Sequence, residues 1–204
     1  MPLLILTACA ANRDTRRVAG LLFDYATGKN QKIPRDTAAA VPYATMGLEL
    51  GFNPQVLLVL GQATPDELDW YAGDQLFVAT SRGRVVRTAG LPNDLGGRHP
   101  SVPGQPDTMD VSYTLDFPDL NIFGAGAVCT GTDRGDDTVD IFGSSIPTRH
   151  IVEHCSVPLL KWTFNNEYWE DRTTGYVWRS RQYVHPKSPP IVLQVFRPED
   201  TTPG

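Results

Sequence analysis

The chain lacks the features that define several large classes of protein. Its 204 residues include no run of 18 or more apolar residues, so the sequence predicts no transmembrane helix. It has no cluster of Lys and Arg, and its formal net charge is −5. Since neutralising phosphates dominates nucleic-acid affinity, we expect no nucleic-acid partner. Dinucleotide-binding, P-loop and nucleophile-elbow motifs are absent, so we expect no cofactor and no catalytic residues.

Glycine and proline are abundant, with 18 and 17 residues, and they divide the chain into short segments. Residues 38–87 contain five short apolar or alternating runs. Turn clusters bound these runs at residues 51–54, 63–66, 73–74 and 81–83. Regular short runs separated by Gly, Pro, Asn and Asp indicate an antiparallel β-meander.

The second half of the chain repeats this pattern. We predict a tight hairpin at residues 171–175, between two strands rich in aromatic residues. The predicted strands cover residues 109–117, 123–132, 137–142, 146–157, 160–170, 175–184 and 190–197. The fold class is therefore mainly β, a large antiparallel meander sheet curled into an open barrel or sandwich. Residues 96–108 read as a long polar loop.

One short N-terminal helix is expected at residues 14–28. Asp14 can cap it, and Val18, Leu21, Leu22 and Tyr25 share one face at helical spacing. Residues 29–40 read as a polar linker. Residues 41–204 are predicted to form a single β-domain, because sandwiches and barrels often reach this length undivided.

The first residues resemble a bacterial lipobox, in which the signal peptide is cut before a cysteine that receives lipid. Leu6-Thr7-Ala8-Cys9 carries this resemblance, and a polar segment follows it. We expect lipid attachment at Cys9, with residues 1–8 as a residual signal peptide and 9–40 as a tether. The apolar part is shorter than a usual signal, so we expect the true start upstream. By resemblance to enterobacterial sorting, Ala10 favours the outer membrane.

Cys129 and Cys155 leave two readings open. An even pair in an oxidising compartment suggests a disulfide. If residues 133–136 and 143–145 are both hairpin turns, however, Cys155 lies about seven residues, or roughly 23 Å, from the position opposite Cys129. That distance is far beyond the reach of a disulfide. Two separate buried thiols are then the alternative.

Candidate binding residues are few. Arg87, Arg179 and Arg181 could bind an acidic polysaccharide or a protein partner, although charge on strand edges that deters aggregation is the favoured explanation. An exposed indole such as Trp178 could stack on a sugar ring, or it could pack in the core. His150 and His154 share a strand face without a third ligand nearby, so we expect no metal site.

Several pieces of sequence, from the lipobox almost to the C-terminus, together carry a family likeness. They are Leu6-Thr7-Ala8-Cys9, Val41-Pro42-Tyr43-Ala44-Thr45-Met46, Gln55-Val56-Leu57-Leu58-Val59-Leu60-Gly61, Asp69-Trp70-Tyr71, Arg84-Val85-Val86-Arg87-Thr88-Ala89-Gly90-Leu91-Pro92, Trp162 through Asn166-Glu167-Tyr168-Trp169, and Thr174-Gly175-Tyr176-Val177-Trp178-Arg179-Ser180. These pieces resemble the YjbF/GfcB family of lipoproteins, which is associated with group 4 capsule and exopolysaccharide loci. The resemblance implies a periplasm-facing outer-membrane lipoprotein of a Gram-negative bacterium, needed to make or export surface polysaccharide.

Three functions follow as hypotheses. The first is an outer-membrane accessory factor for exopolysaccharide or capsule production or secretion. Its partners would be the membrane, through the lipid anchor, together with export or assembly proteins or an acidic polysaccharide. The second is a periplasmic carrier that holds a lipid or acyl chain in an apolar β-groove. The third is a glycan-modifying enzyme, which requires two carboxylates at catalytic separation in a cleft.

Overall fold

Within the part of the chain that the structure describes, most residues belong to a twelve-stranded antiparallel sheet. The computed structural model describes residues 32–51, 53–101 and 110–199. The elements in chain order are α1 (Arg35–Ala39), β1 (Thr45–Leu50), β2 (Val56–Ala63), β3 (Leu68–Ala72), β4 (Leu76–Ser81), β5 (Arg84–Ala89), β6 (Gly97–Pro100), β7 (Asp110–Phe117), β8 (Ile122–Ile141), β9 (Ser144–Val157), β10 (Trp162–Glu170), β11 (Val177–Gln182) and β12 (Ile191–Arg197). The helix predicted at residues 14–28 and the lipid-attachment residue Cys9 lie outside the described residues.

The sheet consists of two meanders joined side by side. Its strand order is β5-β4-β3-β2-β1-β12-β11-β10-β9-β8-β7-β6, so β1 pairs with β12 and the edges are β5 and β6. The sheet curls until these edges approach each other, giving a nearly closed barrel. Near the seam, the backbone N–H of Thr88 in β5 donates to the carbonyl of Leu95, 2.9 Å away. The predicted fold class is confirmed.

The core lies inside this curled sheet, because alternate residues of each strand point inward. In β10 the buried positions are Phe164, Asn166, Tyr168 and Glu170, every second residue. Trp162 and Phe164 stack with ring centroids 4.1 Å apart. Trp162, Phe164 and Tyr168 therefore share one face of β10.

Two predicted loops contain regular structure. The predicted linker at residues 29–40 includes α1, and the predicted loop at 96–108 includes β6. In β6, Gly97 pairs with Asp116 of β7. The hydrogen-bonding partner that makes residues 97–100 a strand is thus distant in sequence, and local composition does not reveal it.

The region around residues 133–136 also differs from the prediction. A hairpin turn was expected there, but β8 continues through it to Ile141 and turns at Phe142 and Gly143. The Asp-Arg-Gly-Asp cluster instead forms a bulge, with a register shift between Asp133 and Asp136 and a φ of 99° at Gly135. A bulge bends and twists a strand without ending it.

Beyond the bulge, residues 134–148 form an arm that lies over neighbouring strands. Trp169 Nε1 of β10 donates to Asp137 Oδ2 at 2.8 Å, and Gln194 Nε2 of β12 donates to the Asp140 carbonyl at 2.9 Å. At the tip, the rings of Phe142 and Phe196 lie 4.8 Å apart. The arm therefore packs against β10 and β12.

The unbroken β8 places Cys129 directly opposite Cys155 in β9. Their Cα atoms are 4.1 Å apart, and the two cysteines form a disulfide. The large separation inferred from two hairpin turns was wrong, because the first turn is a bulge. The Tyr113 hydroxyl lies 3.0 Å from Cys129 Sγ, and burial raises the pKa of Tyr113.

Candidate functional site

An open cleft of about 1100 Å³ occupies one end of the barrel, and we call it the mouth cleft. The turns between β2 and β3, between β4 and β5, and between β10 and β11 surround it, together with the residues after β12. These segments meet because the meander brings every second turn to the same end of the sheet. Barrel mouths commonly bind small molecules.

A cluster of four charged side chains forms the floor of the mouth cleft. Arg84 of β5 donates from Nη2 to Glu153 Oε1 of β9 at 2.9 Å, and the same Nη2 lies 3.5 Å from Glu170 Oε1 of β10. Arg149 Nη2 donates to Glu170 Oε2 at 3.0 Å. The side chains of Glu153 and Glu170 are only 3% and 8% exposed. Buried carboxylates need such partners, since an unpaired charge is costly to bury.

Tyr168 supports this floor from below. Its ring lies under the guanidinium of Arg84, 4.4 Å from Cζ to centroid, and its hydroxyl donates to Gln182 Oε1 at 3.4 Å. Burial raises the pKa of Tyr168 well above its ordinary value, because ionising it would put a charge in the core. The phenol is therefore a neutral structural support at physiological pH.

The side chain of Gln182 joins β5 to the opposite wall of the barrel. Its Oε1 accepts from the Val85 backbone N–H at 2.9 Å, and its Nε2 donates to the Gly83 carbonyl at 2.9 Å. One primary amide thus satisfies one backbone group of the edge strand and one of the turn that precedes it. This contact holds the start of β5, and with it Arg84, over the floor of the mouth cleft.

Aromatic and acidic residues form part of the rim. The rings of Tyr176 and Trp178 meet edge to face with centroids 5.0 Å apart, and the Tyr176 hydroxyl donates to Glu199 Oε2 at 3.0 Å. Burial, followed by the charge of Glu199, raises the pKa of Tyr176. Asp171 accepts hydrogen bonds from the backbone N–H groups of Thr173 and Thr174, and hydrogen bonds to Thr174 lower the pKa of Asp171.

The lining of the mouth cleft carries more negative than positive charge. Its six carboxylates belong to Asp66, Glu67, Glu153, Glu170, Asp171 and Glu199. Its four guanidinium groups belong to Arg82, Arg84, Arg149 and Arg179. Counted over the residues that the structure describes, the formal charge of the lining is therefore −2, the difference between those two counts.

The four residues predicted to bind a glycan or partner have separate surroundings. Trp178 is half-buried at the rim, where it borders both the mouth cleft and a smaller pocket of about 340 Å³. Arg179 also lines the cleft, with Cζ 5.2 Å from the Trp169 ring. Arg181 pairs with Glu167 at 3.4 Å, and Arg87 pairs with Glu67 at 2.8 Å. Each arginine therefore has its own partner, and the structure does not gather them into one anion site.

The two histidines considered as metal ligands also bind different groups. His150 lies 3.0 Å from Glu167 and stacks on Trp169 with centroids 4.6 Å apart. His154 Nδ1 lies 2.8 Å from the Asn165 side-chain oxygen. Cys129, Glu153 and Cys155 lie within ligand distance of one another, but the two sulfurs are bonded to each other.

Sequence reasoning missed most of the floor. Of its four charged residues, only Glu170 carries a local signal, as a carboxylate at the end of a strand beside a turn. Arg84 lies 69 residues from Glu153 and 86 from Glu170 in the chain. No local pattern could connect them, because only closure of the sheet brings them together.

Comparison with known proteins gives the family. A family model described as group 4 capsule polysaccharide lipoprotein gfcB, YjbF matches residues 19–196. The chain belongs to this family. The resemblance inferred from the sequence motifs is thus confirmed.

Two relatives come from Escherichia coli K12, and both are described as uncharacterized lipoproteins. YjbF is 27% identical over 198 residues, covering 89% of this chain and 87% of the relative. GfcB is 26% identical over 171 residues, covering 78% of each. The family therefore indicates the Gram-negative cell envelope. Within the described residues, no helix has the length and apolar character needed to span a membrane.

A solved structure shares the fold. The crystal structure of the hypothetical lipoprotein YmcC from Escherichia coli K12 matches with a TM-score of 0.70 at 23% identity. The match covers 95% of this chain and all of that one.

Proposed function

We propose that this protein is an outer-membrane lipoprotein, anchored through Cys9 with its β-domain on the periplasmic side. There it serves the production or secretion of exopolysaccharide or capsule as an accessory factor. Membership of the YjbF family over residues 19–196 is the observation that carries this proposal. The mouth cleft adds a site at which such a factor can bind a glycan or a segment of a partner protein.

The charged floor favours this role over that of an acyl-chain carrier. An acyl chain in the mouth cleft would remove water from Arg84, Arg149, Glu153 and Glu170 without offering hydrogen bonds in return. Burying charged groups against a hydrocarbon is costly. The same cluster favours binding over glycosidase chemistry, since both of its carboxylates are engaged by arginine.

Secreted polysaccharide measured in a deletion strain tests the proposal. The strain is complemented with the parent gene or with Cys9→Ser, which cannot receive lipid. We expect deletion to reduce the secreted polysaccharide and only the parent gene to restore it. Restoration by Cys9→Ser would show that the anchor is unnecessary, and unchanged output on deletion would contradict the role in polysaccharide production.

A further inference from the structure

We propose that the mouth cleft binds a neutral oligosaccharide segment and discriminates against an acidic one. This inference rests on the proposed function and specifies the ligand of that site. It departs from the initial expectation that Arg87, Arg179 and Arg181 bind an acidic polysaccharide. Three properties of the cleft support it: the charge of its lining, the aromatic rim and the polar floor.

Charge is the property that separates the two ligand classes. The lining carries six carboxylates against four guanidinium groups. Two of those guanidiniums, on Arg84 and Arg149, are ion-paired with the two floor glutamates, and Arg87 beside the cleft pairs with Glu67. Among the described residues of the lining, Asp66, Asp171 and Glu199 then remain against Arg82 and Arg179. A ligand with a carboxylate on every sugar ring would therefore meet net repulsion in a partly desolvated cleft, where charge interactions are stronger than in water. A neutral sugar escapes this repulsion, and its hydroxyls can donate to the carboxylates.

The rim offers a surface for a sugar ring. Trp178 and Tyr176 are half-buried, and their edge-to-face contact at 5.0 Å fixes the orientation of both rings. The hydrogen bond from the Tyr176 hydroxyl to Glu199 further holds that ring in place. A rigid indole at the border of an open cleft can pack on the apolar face of a pyranose, burying area without ordering a flexible side chain.

The floor has polar groups that its own contacts leave unsatisfied. Glu153 Oε2 and Arg149 Nε are buried and have no hydrogen-bond partner among the described residues. Glu153 as a whole is only 2% exposed. Buried polar atoms are normally paired, so an occupant of this cleft is expected to be polar. A sugar hydroxyl suits such a place, because it both donates and accepts.

Binding to the full-length lipoprotein, purified in detergent, tests the inference. The neutral probes are maltohexaose, cellohexaose and chitohexaose, and the acidic probe is hexagalacturonate. Binding is measured by titration calorimetry at low and at moderate salt. We expect at least one neutral probe to bind the parent protein and the acidic probe to bind more weakly.

Two matched pairs of variants locate the site. Trp178→Leu should weaken neutral-probe binding about tenfold or more, as loss of an aromatic side chain that packs on the ligand does. Trp169→Leu, on the outer face of β10, should leave binding unchanged. Asp66→Lys at the rim should strengthen binding of the acidic probe. Asp74→Lys, in the exposed turn between β3 and β4, should not.

Several outcomes would overturn the inference. One is that none of the three neutral probes binds the parent protein. Another is that Trp178→Leu and Trp169→Leu weaken neutral-probe binding equally. The third is that hexagalacturonate binds more tightly than every neutral probe. If the probes fail while the deletion strain still loses polysaccharide, the ligand assignment is wrong and the proposed function stands. If probes bind but deletion has no effect, the proposed function is wrong and the binding site stands.

Discussion

At the scale of single residues, the mouth cleft depends most on Arg84. Its guanidinium contacts Glu153 and Glu170 and lies over the ring of Tyr168. Arg84→Met would leave Arg149 to pair with Glu170 but would remove the cation paired with Glu153. We expect the free energy of unfolding to fall by about 3–5 kcal/mol, the usual cost of breaking a buried ion pair. Urea denaturation of the variant and the parent measures this change in the free energy of unfolding.

Arg87→Met is the matched control for this substitution. Arg87 also pairs with a glutamate, Glu67, but its side chain is 47% exposed. An exposed pair contributes only about 0–1 kcal/mol, so this variant should remain close to the parent in stability. Equal losses in the two variants would show that the floor cluster has no special role.

Buried tyrosines predict that the protein loses stability in alkali. Burial raises the pKa of Tyr168 well above 10.0, so the native state holds this proton more tightly than the unfolded state. The resulting stabilisation is complete below the unfolded pKa near 10 and is lost as pH rises above it. The free energy of unfolding should therefore fall from about pH 10 upward, and less steeply in Tyr168→Phe.

Urea denaturation at several pH values between about 9 and 11 measures this slope. Tyr43→Phe controls for the general effect of losing one tyrosine, because the Tyr43 ring is 63% exposed. If the free energy of unfolding of Tyr168→Phe fell with pH as steeply as that of the parent, Tyr168 would not be the source of the alkaline instability.

At the scale of elements, the arm of residues 134–148 depends on the bulge in β8. Gly135 has a φ of 99°, which side-chain-bearing residues rarely adopt, and an added Cβ would meet no atom within 4 Å. The cost of Gly135→Val is therefore backbone strain, about 1–3 kcal/mol. We expect lower stability and faster proteolysis within the arm.

Gly126→Val in the same strand is the control for that experiment. Gly126 has no positive φ, and an added Cβ there also meets no atom within 4 Å. Valine favours strands, so this variant should match or exceed the parent in stability. Comparable losses at both positions would mean that Gly135 is not needed to form the bulge.

The disulfide between β8 and β9 has its own expected effect. Cys129 and Cys155 are 26 residues apart in sequence and fully buried. Closing a loop of this length stabilises a fold by about 2–4 kcal/mol. Cys129→Ala combined with Cys155→Ala should lower the free energy of unfolding by that amount and make it insensitive to reductant. A parent protein whose stability is unchanged after full reduction, verified by thiol titration, would contradict this.

The elements also show what the sequence could and could not predict. The five strands from Thr45 to Ala89 were predictable because turn residues bound each apolar run. The bulge at Asp133–Asp136 was not, since Asp-Arg-Gly-Asp has the composition of a hairpin turn. A bulge differs from a hairpin turn here only because β8 pairs with β9 on both sides of the cluster. Whether Cys129 can reach Cys155 depends on which of the two structures forms. The seam strand β6 was missed because it is defined by its partner, β7.

At the scale of the whole molecule, closure of the sheet creates the site. The floor combines residues from β5, β9 and β10, and Gln182 of β11 holds β5 in place. None of these strands is adjacent to β5 in the sheet. The sequence offered Trp178 and Arg179 only as binding candidates, and the structure places both in the lining of the mouth cleft. The charged floor and the negative lining form only when the two meanders meet. The motif Arg84-Val85-Val86-Arg87 belongs to the family resemblance, and the structure gives its first residue a place in the floor.

In the function proposed here, the mouth cleft is the part of the molecule that acts in polysaccharide production. The most direct measurement is secreted polysaccharide from the deletion strain complemented with Trp178→Leu or with Trp169→Leu, at matched levels of folded lipoprotein. We predict that Trp169→Leu restores secretion and that Trp178→Leu does not. Full restoration by Trp178→Leu would contradict the claim and would assign the function to another surface of the barrel.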